Sequence, residues 1–344
     1  MGALTEVYVD PSIAANTGSG TIGSPYGDLQ YALNTVTRDS TNGNRINIKA
    51  GTAEILTATL DFTTYGTPTA AAPLVFQGYT SAAGDAGKGD IDGNNGNFNI
   101  FNGGRSHVRF IDLHVHNTGT ASVIKLGATG CGVLQCEVDT TTLDGIENNT
   151  SDAFIIANNI YGFGRAGAAL GKGIIADNFI IISHSTGGSG AINLNPAAIT
   201  DVSVIERNII YLTADNNGIN LAAGSLALVR HNSIYCSVAS TRRAIFDQGG
   251  AVILGNIMEG FSGVGGAGVD NIGAAAAMRL LGFNSAYNCE TPFDVSEVDT
   301  NLGSNETLSA SPFAKSGSPT FANRFSYFAP VDVGVVQGGA YVGA

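Results

Sequence analysis

Positive charge is scarce in this chain. Lys and Arg together number 16 in 344 residues against 28 Asp and Glu, for a formal net charge of -12, which excludes a general attraction to nucleic acid or to an anionic membrane surface. Cysteine is also sparse. Cys131, Cys136, Cys236 and Cys289 contain no CxxC pair and no histidine at zinc-finger spacing, so they read as small apolar side chains rather than a metal site. No run approaches the roughly 18 apolar residues needed to cross a bilayer, and insertion into a membrane is not expected. Residues 1–11, MGALTEVYVDP, lack the basic start and apolar stretch of a secretory signal, so the expectation is a cytoplasmically made product or one whose signal has been removed. Proline is rare, at 9 residues against 47 glycines, and only 13% of residues are charged while 44% are hydrophobic. That balance suits many short strands joined by tight turns better than amphipathic helices or disorder.

What the chain does have is internal repetition. Aligning HVRFIDLHVHN, GVLQCEVD, FIIANNIYGF, GIIADNFIII, VSVIERNIIYL, LALVRHNSIYC and VILGNIMEG produces a column of Leu113, Cys136, Asn158, Asn178, Asn208, Asn232 and Asn256. Three positions earlier stand Phe110, Val133, Ile155, Ile175, Ile205, Val229 and Ile253; two positions later stand Val115, Val138, Ile160, Ile180, Ile210, Ile234 and Met258. Both flanking columns are wholly apolar. A strand, a bend at Asn and a second strand would give this pattern, with each amide about 4.8 Å from the next in a ladder of stacked coils. Gly, Asn and β-branched residues argue against an α-solenoid, and the leucine skeleton of a leucine-rich repeat is absent. The expected fold is therefore all-β: a right-handed parallel β-helix solenoid, in which each coil contacts only its neighbours.

Three regions follow from this reading. Residues 1–45 supply a strand, a Gly/Ser loop and a capping helix that starts near Asp28, with Leu29, Ala32, Leu33 and Val36 on one face. Residues 46–262 form the β-helix, with further coils at RINIKAGTAEI and PLVFQGY. Residues 263–344 read as an irregular last coil and C-terminal cap or interaction segment, briefly helical at 273–281, that covers the open end of the solenoid.

The VYVDP strand, the GSPYGDLQYALNTV helix, NIKAGTAEI, PLVFQGY, the Asn rungs and the terminal PVDVGVVQ together resemble the pectate-lyase-like superfamily of β-helices. That superfamily includes polysaccharide lyases, polygalacturonase-type hydrolases and spikes of bacterial viruses. The resemblance implies the fold and leaves the chemistry open. Its hydrolases cluster Asp residues with His and Arg-x-Lys, and its lyases use a Lys or Arg base with an Arg-x-Pro-x-x-Arg pattern; none of these patterns occurs in the rungs here. The carboxylates Asp144, Glu147 and Asp152 lie in a Gly- and Asn-rich stretch that reads as a loop.

Two columns are left for chemistry. Immediately before the Asn stand Asp177, Arg207 and His231 on successive coils, an acid, a cation and a titratable base, or equally a polar surface strip. Three positions after it come Tyr161, Tyr211 and Tyr235, a stacking platform for sugar rings or a covered corner. The functional expectation is a non-catalytic virion-type surface protein, such as a spike, fibre or capsid decoration. It would assemble as a homotrimer or with other virion proteins and contact a cell-surface glycan. The alternative is a secreted polysaccharide lyase or glycoside hydrolase acting on an acidic glycan. No cofactor and no metal site are expected.

Overall fold

The computed structural model describes residues 3–319 apart from 103, 117, 141, 163, 184–188, 196–201, 272–279, 295–299 and 314–318. These residues fall into two compact units divided between Asn158 and Asn159. Each is a parallel β-helix whose coils pass through three sheets.

The first sheet of the first unit begins with Thr5–Val9 and continues through Asn44–Lys49, Leu74–Tyr79, Val108–Ile111, Cys131–Leu134 and the end of Ile146–Ile156. Strand alternation points every second side chain inward, so Val7, Ile46, Phe76, Phe110, Val133 and Ile155 stack in register as one buried column. Phe76 and Phe110 stack with ring centroids 5.4 Å apart. The second sheet comprises Glu54–Ile55, Gly89–Asp92, Leu113–His116 and Glu137–Thr140, with Ile91, Val115 and Val138 inward. The third runs through Phe101–Asn102, Ile124–Lys125 and the start of Ile146–Ile156. The stretch read as a loop is mostly strand: Glu147 lies half-buried between buried Ile146 and Asn148, Asp152 precedes buried Ala153, and Asp144, just ahead of the strand, is itself fully buried.

The second unit is built in the same way. The second-sheet column of Ile160, Ile180, Ile210, Ile234 and Met258 and the first-sheet column of Ile175, Ile205, Val229 and Ile253 are both buried. Both apolar columns predicted on either side of Asn are therefore core. The rungs do not stop at residue 262. Leu280–Gly282, Ser285–Tyr287, Thr291–Asp294, Thr300–Asn301 and Glu306–Thr307 all pair in parallel with the preceding coil. Of the segment expected to be helical, 273–279 lies outside the described residues and Leu280 and Leu281 are strand, because Leu281 extends the inward column of Ile253. The terminal PVDVGVVQ also lies outside the described residues.

The corner between first and second sheets is held by the asparagines. Asn208 Oδ1 accepts both the backbone N–H and the side-chain amide of Asn178, at 3.1 and 2.9 Å, while its own amide donates to the Ile175 carbonyl and to Asn232 Oδ1. The pattern repeats through Asn232, Asn256, Asn284 and Asn305. In the first unit Asn158 accepts the Cys136 N–H and donates to the Val133 carbonyl. From Asn158 to Asn284 the ladder residues are almost wholly buried, so every amide hydrogen bond made there satisfies a group that water cannot reach.

The capping helix, Leu29–Thr35, starts where expected. Asp28 is its N-cap, accepting the Tyr31 N–H at 2.6 Å, and Leu29, Ala32 and Leu33 are fully buried. Buried Glu54 accepts the Leu29 N–H at 3.1 Å. Burial pushes its carboxyl up to about 7; the Leu29 N–H opposes that shift and the nearby Asp28 carboxylate adds to it.

Two measurements follow. Asn208→Ala strands four buried partners and should destabilise the protein by about 2–4 kcal/mol in denaturant melts, whereas Asn208→Asp should recover little of that loss. Glu54 is protonated in the fold at pH values where the unfolded chain has ionised. Its contribution is therefore complete below about pH 4.5 and lost as pH rises through about 7. Denaturant midpoints should fall across that window in the wild type, and Glu54→Gln should flatten the slope.

Candidate functional site

The column just before the asparagines is the bend itself. Asp112, Gln135, Ala157, Asp177, Arg207, His231 and Phe283 all carry positive φ, between 52° and 59°, a left-handed conformation that side chains other than Gly adopt at a cost of roughly 1 kcal/mol. Gly255 takes the same position at φ 61°. The residues that looked like a reactive line are thus placed where the chain must turn, with their side chains directed outward as a consequence.

The structure does bring Asp177 and Arg207 together. The guanidinium meets the Asp177 carboxylate through Nε and Nη2, at 2.8 and 2.9 Å, and meets Glu206 through Nη1. Arg230 holds the other oxygen of Glu206 at 2.6 Å. Bonding to Asp177 holds the proton on Arg207 more firmly than usual. Burial, which raises the Glu206 carboxyl, is outweighed by the hydrogen bonds from Arg230 and Arg207. Burial and the positive charge of Arg230 keep His231 below its ordinary pKa. The strip is an ion-paired network in which each arginine is already matched to a carboxylate.

Tyr211 and Tyr235 stack at 5.4 Å, as a platform would require, but Tyr235 also abuts Phe313 at 6.3 Å. Both pack against an apolar cluster of Phe179, Ile209, Ile257 and Phe313, and Ser311 donates to Glu259 at 2.8 Å. The segment after the last rung lies over these tyrosines, so their faces serve packing. Tyr161 sits in register with Ile181, a neighbour of the same cluster.

A different group converges on the second sheet of the first unit. Asp90 and Asp92, His114 and His116, and Glu137 and Asp139 occupy the outward positions of three successive rungs in register. Asp90 Oδ1 lies 2.9 Å from His116 Nε2 and 3.2 Å from His114 Nδ1. The two imidazoles are near parallel, with centroids 4.4 Å apart. On its far side, His114 Nε2 sits 3.5 Å from Asp139 Oδ2. Asp139 raises the pKa of His114; burial opposes the shift, and Asp90 and Glu137 add to it. Lys88, at the bend edge, donates to the Gln135 carbonyl at 3.3 Å and stands 3.9 Å from Glu137 Oε2. The corresponding outward positions of the second unit carry Phe179, Ile181, Ile209, Tyr211, Tyr235 and Ile257, with Ser233 and Glu259, both buried, among them.

The repeat hides this group, because the rungs that carry it have Leu113 and Cys136 rather than Asn at the corner. The signal available was the alternation in DLHVH, two histidines on one strand face, beside GDID one rung away. An open cleft of about 450 Å³ also exists in the first unit, with Asp61, Asn102 and Arg105 in its wall. There Asp61 is taken up by Thr63, and Arg105 donates to Thr67.

No protein-family model matches the chain, and no curated protein matches it. Among solved structures, it is similar to the crystal structure of pectate lyase Pel9A, with a TM-score of 0.63 and 12% identity over 90% of this chain and 84% of that one. At that identity the likeness establishes the fold, a right-handed parallel β-helix, and transfers no residue role.

The ion-paired strip is expected to act as surface. In a double-mutant cycle Asp177→Ala and Arg207→Ala, both about two-fifths exposed, should couple by no more than about 1 kcal/mol. A coupling several times larger would show a desolvated, functional pair instead.

Proposed function

We propose that this protein cleaves an acidic polysaccharide laid against the outward second sheet of its first unit, by β-elimination. The observation that supports this is the convergence of Lys88, Asp90, His114, His116 and Asp139 on neighbouring rungs, while the equivalent face of the second unit is mostly aliphatic and aromatic. The fold shared with a solved pectate lyase supports the same reading. The non-catalytic virion surface protein expected from the sequence rested on missing motifs, and the cluster moves the balance to the alternative given with it.

The roles follow from how tightly each group is already engaged. Asp90 binds both imidazoles, and Asp139 flanks one of them. Lys88 has only a loose ion contact and one carbonyl acceptor, which leaves its amine able to serve as base. In the proposed step that amine takes the proton α to the uronate carboxyl, the C4–O bond breaks, a C4=C5 double bond forms, and the departing oxygen takes up a proton. Asp90, His114 and His116 orient the sugar.

Hydrolysis is the second reading, and one observation favours it. Asp90, Asp92, Glu137 and Asp139 outnumber Lys88 on this face, and carboxylates stabilise the positive, oxocarbenium-like transition state of glycoside hydrolysis.

Incubation with uronate polymers and with neutral glycans separates these outcomes. Elimination gives ultraviolet-absorbing unsaturated ends together with new reducing ends; hydrolysis gives reducing ends alone. Lys88→Ala should lower turnover by about 10²–10⁴-fold, while Arg207→Ala should leave it within about two-fold. Absence of cleavage across the panel would leave the non-catalytic surface protein as the reading.

A further inference from the structure

We propose that Asp90, His114 and His116 form an open three-ligand site for a divalent transition metal ion of the zinc class. The three donor atoms, one from each side chain, lie within 4.8 Å of one another. The two edges that meet at Asp90 Oδ1 measure 2.9 and 3.2 Å. Donors bound at the usual zinc distances stand about 3.3 Å apart on a tetrahedron, so the existing arrangement needs only small outward movements to admit an ion.

The backbone fixes this spacing. His114 and His116 are two apart on one strand and therefore share a face, and Asp90 is the direct register partner of His114 on the preceding rung. Two imidazoles with one carboxylate suit zinc, cobalt or nickel; calcium and magnesium prefer all-oxygen sets.

A second, independent feature points the same way. A metal-bound imidazole characteristically gives its other ring nitrogen to a carboxylate, which sets the tautomer and orientation of the ring. His114 presents Nδ1 to the shared point and Nε2 to Asp139 Oδ2 at 3.5 Å. The side chains of Asp90, His114 and His116 are between about a fifth and a third exposed, which leaves one side of the site facing solvent for water or a ligand oxygen.

The site stands on this geometry alone. Its use rests on the function proposed above: a dication here offsets the surplus of carboxylates and gives an anionic sugar group a place to bind.

The test uses the full chain, stripped of metal with a chelator and titrated with zinc by calorimetry, with cobalt in parallel for its visible absorption. One zinc per chain is expected. His116→Ala and Asp90→Ala should weaken binding by at least about 100-fold, and Asp139→Ala by about 10-fold. His231→Asn, which keeps a residue tolerant of the left-handed bend, should change nothing. All these side chains face outward, and circular dichroism checks that the variants fold. Zinc affinity that is unchanged by both His116→Ala and Asp90→Ala, or a wild type that gives neither heat with zinc nor a cobalt spectrum, overturns the proposal. Zinc binding with no polymer cut keeps the site and removes the lyase; cutting by a chain that binds no metal removes the site and keeps the lyase.

Discussion

A buried asparagine side chain replaces the water that a sharp chain reversal would otherwise need. Each turn between the first and second sheets leaves backbone groups pointing along the stack, where neither sheet can satisfy them. The amide is the smallest side chain that both accepts and donates in opposite directions, so one residue type repeated once per coil closes the account. From Asn178 to Asn305 the amide-to-amide distances stay between 2.9 and 3.0 Å. The apolar columns add most of the stabilising burial, but the corner sets their registry, because a one-residue slip there would turn every inward side chain outward.

That constraint explains what could be read from the sequence and what could not. The Asn column and its two apolar neighbours were legible because a repeated corner leaves the same residue at the same offset in every coil. The ladder residues Asn284 and Asn305 were missed although Leu281 precedes the first by three and Ala286 follows it by two, as in earlier rungs. Their intervals, 28 and 21 residues, lie within the range of the other rungs; the alanine-rich GAAAAMRLL before the first reads as helix, and Thr307 replaces the apolar flank after the second. The third sheet left little trace because its strands, such as Gly190–Leu194 and Asn217–Leu221, mix Gly and Asn with the inward residues Ile192 and Ile219.

The chemistry was harder to locate for a related reason. Polar side chains just before Asn were conspicuous in the alignment, yet positive φ at Asp177, Arg207 and His231 shows that the position belongs to the turn. Outward residues on a strand carry no such mark. Asp90, His114 and Asp139 come from separate rungs, and only the register of the second sheet brings them within reach. Tyr211 and Tyr235 illustrate the same physics: an aromatic strip on a sheet face is an apolar surface, and here Leu308 and Phe313 pack with it around one cluster.

The asparagines of the second unit are separated by as few as 21 and as many as 30 residues, yet their contacts vary by hardly a tenth of an ångström. Coil length and coil position are therefore uncoupled. The corner works as an index pin, and excess chain is free to emerge elsewhere on the circuit. A foreign peptide inserted between the third and first sheets should be carried as an external display while the stack beneath it keeps its pitch, making this architecture a ruler to which cargo of differing size can be fixed at constant intervals.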